Sequence, residues 1–218
     1  MIVSRDNERL KLVRKLHERR WRDKLGLFVV EGEDAVAAAT AEPVDILVAG
    51  RDVEPRLLAE VVTAAHPPRV VAIYRRDDLP GLEEREVALA LWQVADPGNL
   101  GTLIRTADAF GAAVQLSAGC ADPTGPKALR ASAGSIWRVP LGPFEPAGLR
   151  VALDAHEGVP LAELDLSGRV TFLLGAERSG LSPSVGRDVT ARIPIEGAES
   201  LNVAAAGAIA LYEHRRSR

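Results

Sequence analysis

Residues 87–107 read VALALWQVADPGNLGTLIRTA, and the fold class turns on this stretch. Val87 to Val94 is a near-continuous apolar run, the pattern of a strand buried on both faces of a parallel sheet. Asp96-Pro97-Gly98 interrupts it, and helical spacing of apolar residues follows over Leu100–Phe110. A strand that turns directly into a helix is the repeating unit of an α/β sheet. Downstream, strands are expected at Ala113–Ser117, Trp137–Leu141, Arg150–Asp154, Thr171–Leu174 and Ala191–Ile195. Helices are expected from Lys127 and over Leu201–Tyr212. The alternation predicts a doubly wound parallel sheet with helices on both faces.

Upstream the same alternation recurs on a smaller scale. Strands at Leu27–Val30, Val44–Val48 and Arg69–Tyr74 alternate with helices at Gly32–Thr40 and Pro55–Ala65. Residues 1–76 therefore read as a small α/β domain, 77–86, charged and containing Pro80-Gly81, as a linker, and 87–218 as the second domain. The chain has 218 residues, 47% of them hydrophobic, enough for one large core or two modest ones. No apolar run approaches the roughly 18 residues of a membrane span, and the N-terminus shows no apolar signal segment, so a cytoplasmic location is expected. Cys120 is the only cysteine, which excludes an intrachain disulfide. The four histidines match no ligand spacing, and no metal is expected.

The net charge is −3, but it is unevenly spread. Residues 1–24 hold nine Lys/Arg against four acids, a local net of +5, which leaves −8 on the other 194. A helix from an N-cap at Ser4 to about Trp21 would set Lys11, Lys15, Arg19 and Arg22 at helical spacing, away from Leu12 and Leu16. One-sided basic clustering is the footprint of phosphate binding, although a solvated helix face gives a similar pattern.

Three stretches could carry chemistry. The first is Asp96 to Ala107, where a strand opens into a helix, the place at which open α/β sheets bind ligands. Asn99 could cap that helix, and Arg105 lies less than two turns further on. The second is Leu174-Gly175-Ala176-Glu177-Arg178-Ser179-Gly180-Leu181-Ser182, a strand running into glycine with a carboxylate two residues later. Gly175 would admit a ligand close to the backbone, and Gly180 would permit a turn. The third is Ile193 to Glu213, in which Pro194 stops a strand and Ser200 and Asn202 bracket the start of a largely buried, alanine-rich helix. One of those two polar residues suffices as a cap, so the other is spare. The G-x-G-x-x-G spacing of dinucleotide sites is missing, which argues against an oxidoreductase on a Rossmann sheet.

Taken in order, D-P-x-N-x-G-x-x-x-R-T-A, L-G-x-E-x-x-G-L-S and I-P-I-x-G-x-x-S-L-N-V-A-x-A-x-A-I-A-L-Y-E closely resemble the three motifs of the SpoU (TrmH-type) RNA ribose 2′-O-methyltransferases. Asp122-Pro123 and Pro126 to Ser135 resemble the family's connecting segment, and Ile195 stands where methionine is more usual. The resemblance implies a SPOUT fold with a deep trefoil knot, S-adenosylmethionine as cofactor and an obligate homodimer. It places cofactor contacts on Gly175, Ile193 and Leu201, and makes Arg105 the central catalytic residue. Asn99, Glu177, Ser200 and Asn202 would hold the arginine, the ribose and the loops. Ser4-Arg5-x-Asn7 and Phe28 to Gly32 resemble, more loosely, the ribosomal-protein-like RNA-binding domain of many relatives, with the segment between Val48 and Val87 shortened. Arg5, Lys11, Lys15, Arg19 and Arg22 would then contact phosphates. The expected substrate is RNA, ribosomal ahead of transfer RNA. A non-catalytic RNA-binding protein on the same fold is the rival, against which stand the five intact polar motif positions.

Overall fold

A computed structural model describes residues 1–176 and 178–218. The N-terminal helix is shorter than its charge pattern suggested. Helix α1 spans Glu8–Leu16 and is capped by Asn7, whose side chain accepts from the Arg9 N–H, so Ser4 is not the cap. The chain then turns extended at Glu18 before α2, Arg19–Leu25, which ends at Gly26. Strand β1 (Leu27–Glu31), α3 (Glu33–Ala37), β2 (Asp45–Val48), α4 (Pro55–Ala59) and β3 (Val70–Arg75) complete the unit. Between Val48 and Val87 the chain therefore forms one helix and one strand, followed by a 3-10 turn at Arg76–Asp78.

The three strands make an antiparallel sheet in the order β1-β3-β2. Strand periodicity sends alternate side chains to opposite faces. Val29, Leu47, Val71 and Ile73 pack with Leu10, Val13 and Leu16 of α1 and with Leu57 and Leu58 of α4. Phe28, Val30, Ala72 and Tyr74 face the other way, into the core of the second unit. There Trp137 packs 5.6 Å from Phe28 and 4.7 Å, edge-on, from Tyr74. The small sheet is therefore buried on both faces, one against its own helices and the other against the core of the second unit.

The second unit comprises β4 (Val87–Leu91), α5 (Pro97–Phe110), β5 (Ala113–Leu116), α6 (Pro126–Ser132), β6 (Leu141–Pro143), β7 (Leu149–Asp154), β8 (Val159–Pro160), β9 (Val170–Leu174), β10 (Val189–Arg192) and α7 (Val203–Arg216). Its seven strands are parallel throughout, in the order β6-β5-β4-β9-β7-β10-β8. The strand expected at Trp137–Leu141 is a 3-10 turn, Ser135–Trp137, followed by β6, and the two-residue β8 was not anticipated.

Among the described residues, helices cover only one face. Leu89, Leu91, Phe172 and Leu174 pack against Leu103 and Ile104 of α5 and Ala210 and Leu211 of α7. Over the opposite face, Ala90, Ala152 and Leu173 meet Val185 and the loop residues Trp92, Phe144 and Leu181. Small side chains leave that face shallow, so loops suffice to cover it. Close helix packing on the other side depends on Gly101, where a Cβ would lie 2.4 Å from the Ala128 carbonyl oxygen of α6. Among the described residues, no helix is long and apolar enough to cross a membrane.

Candidate active site

Strands β4, β9, β7 and β10 run parallel, so their carboxyl ends share one edge, where ligands of such sheets bind. Two long helices begin there. Asp96 caps α5 by accepting from the Asn99 N–H at 2.9 Å, with Pro97 at the first position, where its missing N–H costs nothing. Asn99 is therefore not the cap. The Lys127 ammonium, 2.8 Å away, and then the Asn99 N–H hold the Asp96 carboxyl below its ordinary value. Asn202 caps α7, accepting from Ala204 N at 2.8 Å and Ala205 N at 3.4 Å. Its amide nitrogen donates to Asn99 Oδ1 at 3.0 Å, tying the two helix starts together. Both helices thus aim the positive ends of their dipoles at one spot.

Beside this junction is a cavity of about 560 Å³, within the usual range for a cofactor-sized ligand. Gly175, Ile193, Ser200, Leu201 and Asn202, expected from separate motifs, all line it. Asn202 is the cap and Ser200 is the spare polar group, exposed towards the cavity. Gly175 has a different reason from the one its position suggested. A Cβ there would lie 2.1 Å from the Gly180 carbonyl carbon and 2.2 Å from Leu181 N, so the glycine is required by the chain's own turn. Ala176 and Gly180 close that turn with reciprocal backbone bonds of 3.1 and 2.9 Å. From 195 to 201 the chain makes no backbone–backbone hydrogen bond among the described residues, which leaves those N–H groups available to a ligand.

Arg105 does not line the cavity. It lies on the exposed face of α5 with Thr102, about 9 Å along the axis from Asn99 at 1.5 Å per residue. Among the described residues it makes no hydrogen bond or ion pair. Glu177 lies outside the described residues. Asp154, at the end of β7, also lines the cavity and was missed by sequence reasoning. Its Oδ1 accepts from the His156 and Glu157 N–H groups at 2.9 and 3.0 Å, which lowers its pKa and keeps it charged. A carboxylate at the carboxyl end of a parallel strand was the available signal.

The five N-terminal cations separate in the structure. Arg5 pairs with Glu60 and Lys11 with Glu8, both at the surface. Lys15 is exposed, and Arg19 reaches the Cys120 carbonyl at 3.2 Å. Arg22 is a correction: it is only 4% exposed, and its Nε donates to Asp122 at 2.8 Å, so it cannot meet a phosphate. Arg76 reaches the same carboxylate oxygen at 2.6 Å. Burial alone would raise the Asp122 carboxyl, but Thr124 hydrogen bonds and the two guanidiniums hold it below its ordinary value. This network bolts α2 to the loop after β5. Among the described residues no cluster of His, Cys, Asp and Glu is suited to a metal ion.

The profile of the SpoU rRNA Methylase family matches residues 86–212, more than half of the chain. The chain belongs to that family. An MRM3-like substrate binding domain profile matches residues 7–74. The chain is 33% identical to the 23S rRNA (guanosine(2553)-2′-O)-methyltransferase RlmP of Bacillus subtilis, covering 98% of each. Its fold superposes with a TM-score of 0.87 on an AdoMet-bound rRNA methyltransferase from Sinorhizobium meliloti, at 30% identity over 99% of this chain and 97% of that one. The SpoU methyltransferase AviRb of Streptomyces viridochromogenes, in complex with AdoMet, superposes with a TM-score of 0.85 at 28% identity over 97% and 98%.

Proposed function

We propose that the protein transfers a methyl group from S-adenosylmethionine to a ribose 2′-hydroxyl of RNA, with ribosomal RNA as the substrate. The observation that carries this reading is one cavity, at the carboxyl edge of a family-specific sheet, that gathers residues from two motifs and opens beside the joined starts of α5 and α7.

The residues present fit the cofactor. Ile193, Leu201 and Leu174 offer apolar cover for an adenine ring, and the N–H groups of 195–201 can meet its edge. Asp154 Oδ2 faces no partner among the described residues and can accept from ribose hydroxyls. When bound, the sulfonium supplies the methyl group.

The chain's own residues supply alignment and charge. A ribose hydroxyl is a weak nucleophile, so the site must orient it and stabilise the negative charge that develops on its oxygen. Arg105 fits that role, with a fixed charge and a fork of donors that suit an oxyanion or the adjacent phosphate. It stays protonated, so it acts by charge and not as a base. Asn99, Asn202 and Ser200 position the ribose and the loops, with Glu177 orienting the arginine.

The remaining features extend this reading. Residues 1–76 bind the RNA, 77–86 link, and 87–218 carry the chemistry, in the cytoplasm, without metal. The C-terminal chain threads through a loop to form a deep trefoil knot. A second copy covers the exposed apolar side of α7, where Ile209 is 38% and Tyr212 59% exposed. Incorporation of labelled methyl from S-adenosylmethionine into unmodified ribosomal RNA tests the activity. Label in the RNA is expected, and binding of both cofactor and RNA without transfer would overturn it in favour of a non-catalytic binder.

A further inference from the structure

The three tryptophans have different surroundings. Trp137 belongs to the aromatic cluster with Phe28 and Tyr74, and Trp92 packs 5.5 Å from Phe144. Trp21, on α2, packs into none of the three apolar clusters. Its neighbours are cations instead. Lys15 Nζ and Lys24 Nζ each lie 5.2 Å from the ring centroid, and Arg20 Cζ lies 5.6 Å away. All three are exposed, the ring is half-buried, and only Arg20 has an ion-pair partner among the described residues, Glu18 at 2.7 Å. The indole is held at the surface by cation–π contacts with three side chains, outside the apolar clusters.

We propose that Trp21 is a stacking platform for an unpaired base of the RNA substrate, with Lys15 and Lys24 holding the phosphates on either side. The inference rests on the RNA-directed reading above. Indole offers every base a π-face, and flanking lysines supply the sequence-independent charge that single-stranded RNA requires. The platform is also fixed relative to the chemistry. Neighbouring Arg22 is locked to Asp122, and Arg19 to the Cys120 carbonyl, both in the loop leaving the carboxyl end of β5. That loop shares the sheet edge with the candidate active site, so a base stacked on Trp21 sets the register of a strand that continues towards α5.

The test compares wild type with Trp21→Ala, Trp21→Phe and the Lys15→Gln/Lys24→Gln double variant. Affinity is measured by fluorescence anisotropy for single-stranded oligoadenylate of 12 nucleotides and for duplex RNA of the same length. Trp21→Ala should weaken single-strand binding by about 5- to 150-fold, with duplex binding unchanged and most affinity returning in Trp21→Phe. The double variant should lower the slope of log affinity against log salt by about 1.4, and Trp21→Ala should leave that slope intact. An unchanged midpoint of chemical denaturation certifies the fold of each variant. Wild-type affinity of Trp21→Ala for the oligoadenylate overturns the platform, as does an indole response to phosphatidylserine vesicles in place of RNA. Absence of methyl transfer to RNA by the wild type would instead overturn the functional reading, so the two failures are distinguishable.

Discussion

Arg105 and Arg22 are both arginines on helices in regions expected to meet RNA, and the structure uses them in opposite ways. Arg105 stands exposed in the middle of α5 with no partner among the described residues, while Arg22 is buried between the units and spends its charge on Asp122. A motif residue on a helix whose start is fixed by a cap keeps its charge exposed and free for a ligand. A residue in a charge pattern is fixed by nothing local, and the tertiary structure is free to use it elsewhere.

Removing Arg22 should give the largest effect on stability. Arg22→Ala removes one of the two guanidiniums on the buried Asp122 carboxylate, leaving Arg76 and Thr124 in place, and should cost about 1.5–3 kcal/mol in chemical denaturation, whereas Lys15→Ala should fall within about 0.5 kcal/mol of wild type. Equal costs for the two would erase the contrast. Arg105→Ala should do the reverse, leaving stability and cofactor affinity intact while lowering kcat on the order of 100- to 1000-fold in a methyl-transfer assay. Gly175→Ala should cost about 1–3 kcal/mol through overpacking against Gly180 and weaken cofactor binding, read by calorimetric titration.

These expectations show which parts of the molecule were legible in the sequence. The strand-to-helix alternation gave the parallel sheet because apolar runs and turn residues act locally. Asn99, Gly175, Ile193, Ser200, Leu201 and Asn202 gathered at one sheet edge because each lies close after or at a strand end, whereas Arg105, further along α5, did not. The break at Glu18 was not legible, since the basic spacing continues through it and only the pairing of Arg22 with Asp122, 100 residues away, rewards it. The shallow second sheet face was hidden for a related reason: Ala90 and Ala152 read as strand residues whichever element covers them. Gly175 was correctly marked as a close-approach position, but what approaches is the chain itself.

Two smaller effects sharpen the picture. Asn202→Ala removes the α7 cap and the bond to Asn99, and should cost about 1 kcal/mol of stability with a larger loss of activity. His214 is buried edge-on to Phe172, and burial, then nearby Arg218, lowers its pKa below the ordinary value near 6.5. The folded protein then binds fewer protons than the unfolded chain, so this contribution is full above about pH 6.5 and is lost as pH falls below it. Denaturation midpoints across that window should fall on acidification, and less so in His214→Phe.

The position of the transferred methyl tests the central claim most directly. A ribose 2′-O-methyl group blocks alkaline cleavage of the adjoining phosphodiester, so labelled ribosomal RNA digested in alkali should carry its label in alkali-stable dinucleotides. Label recovered in mononucleotides would place the methyl on a base and contradict the account.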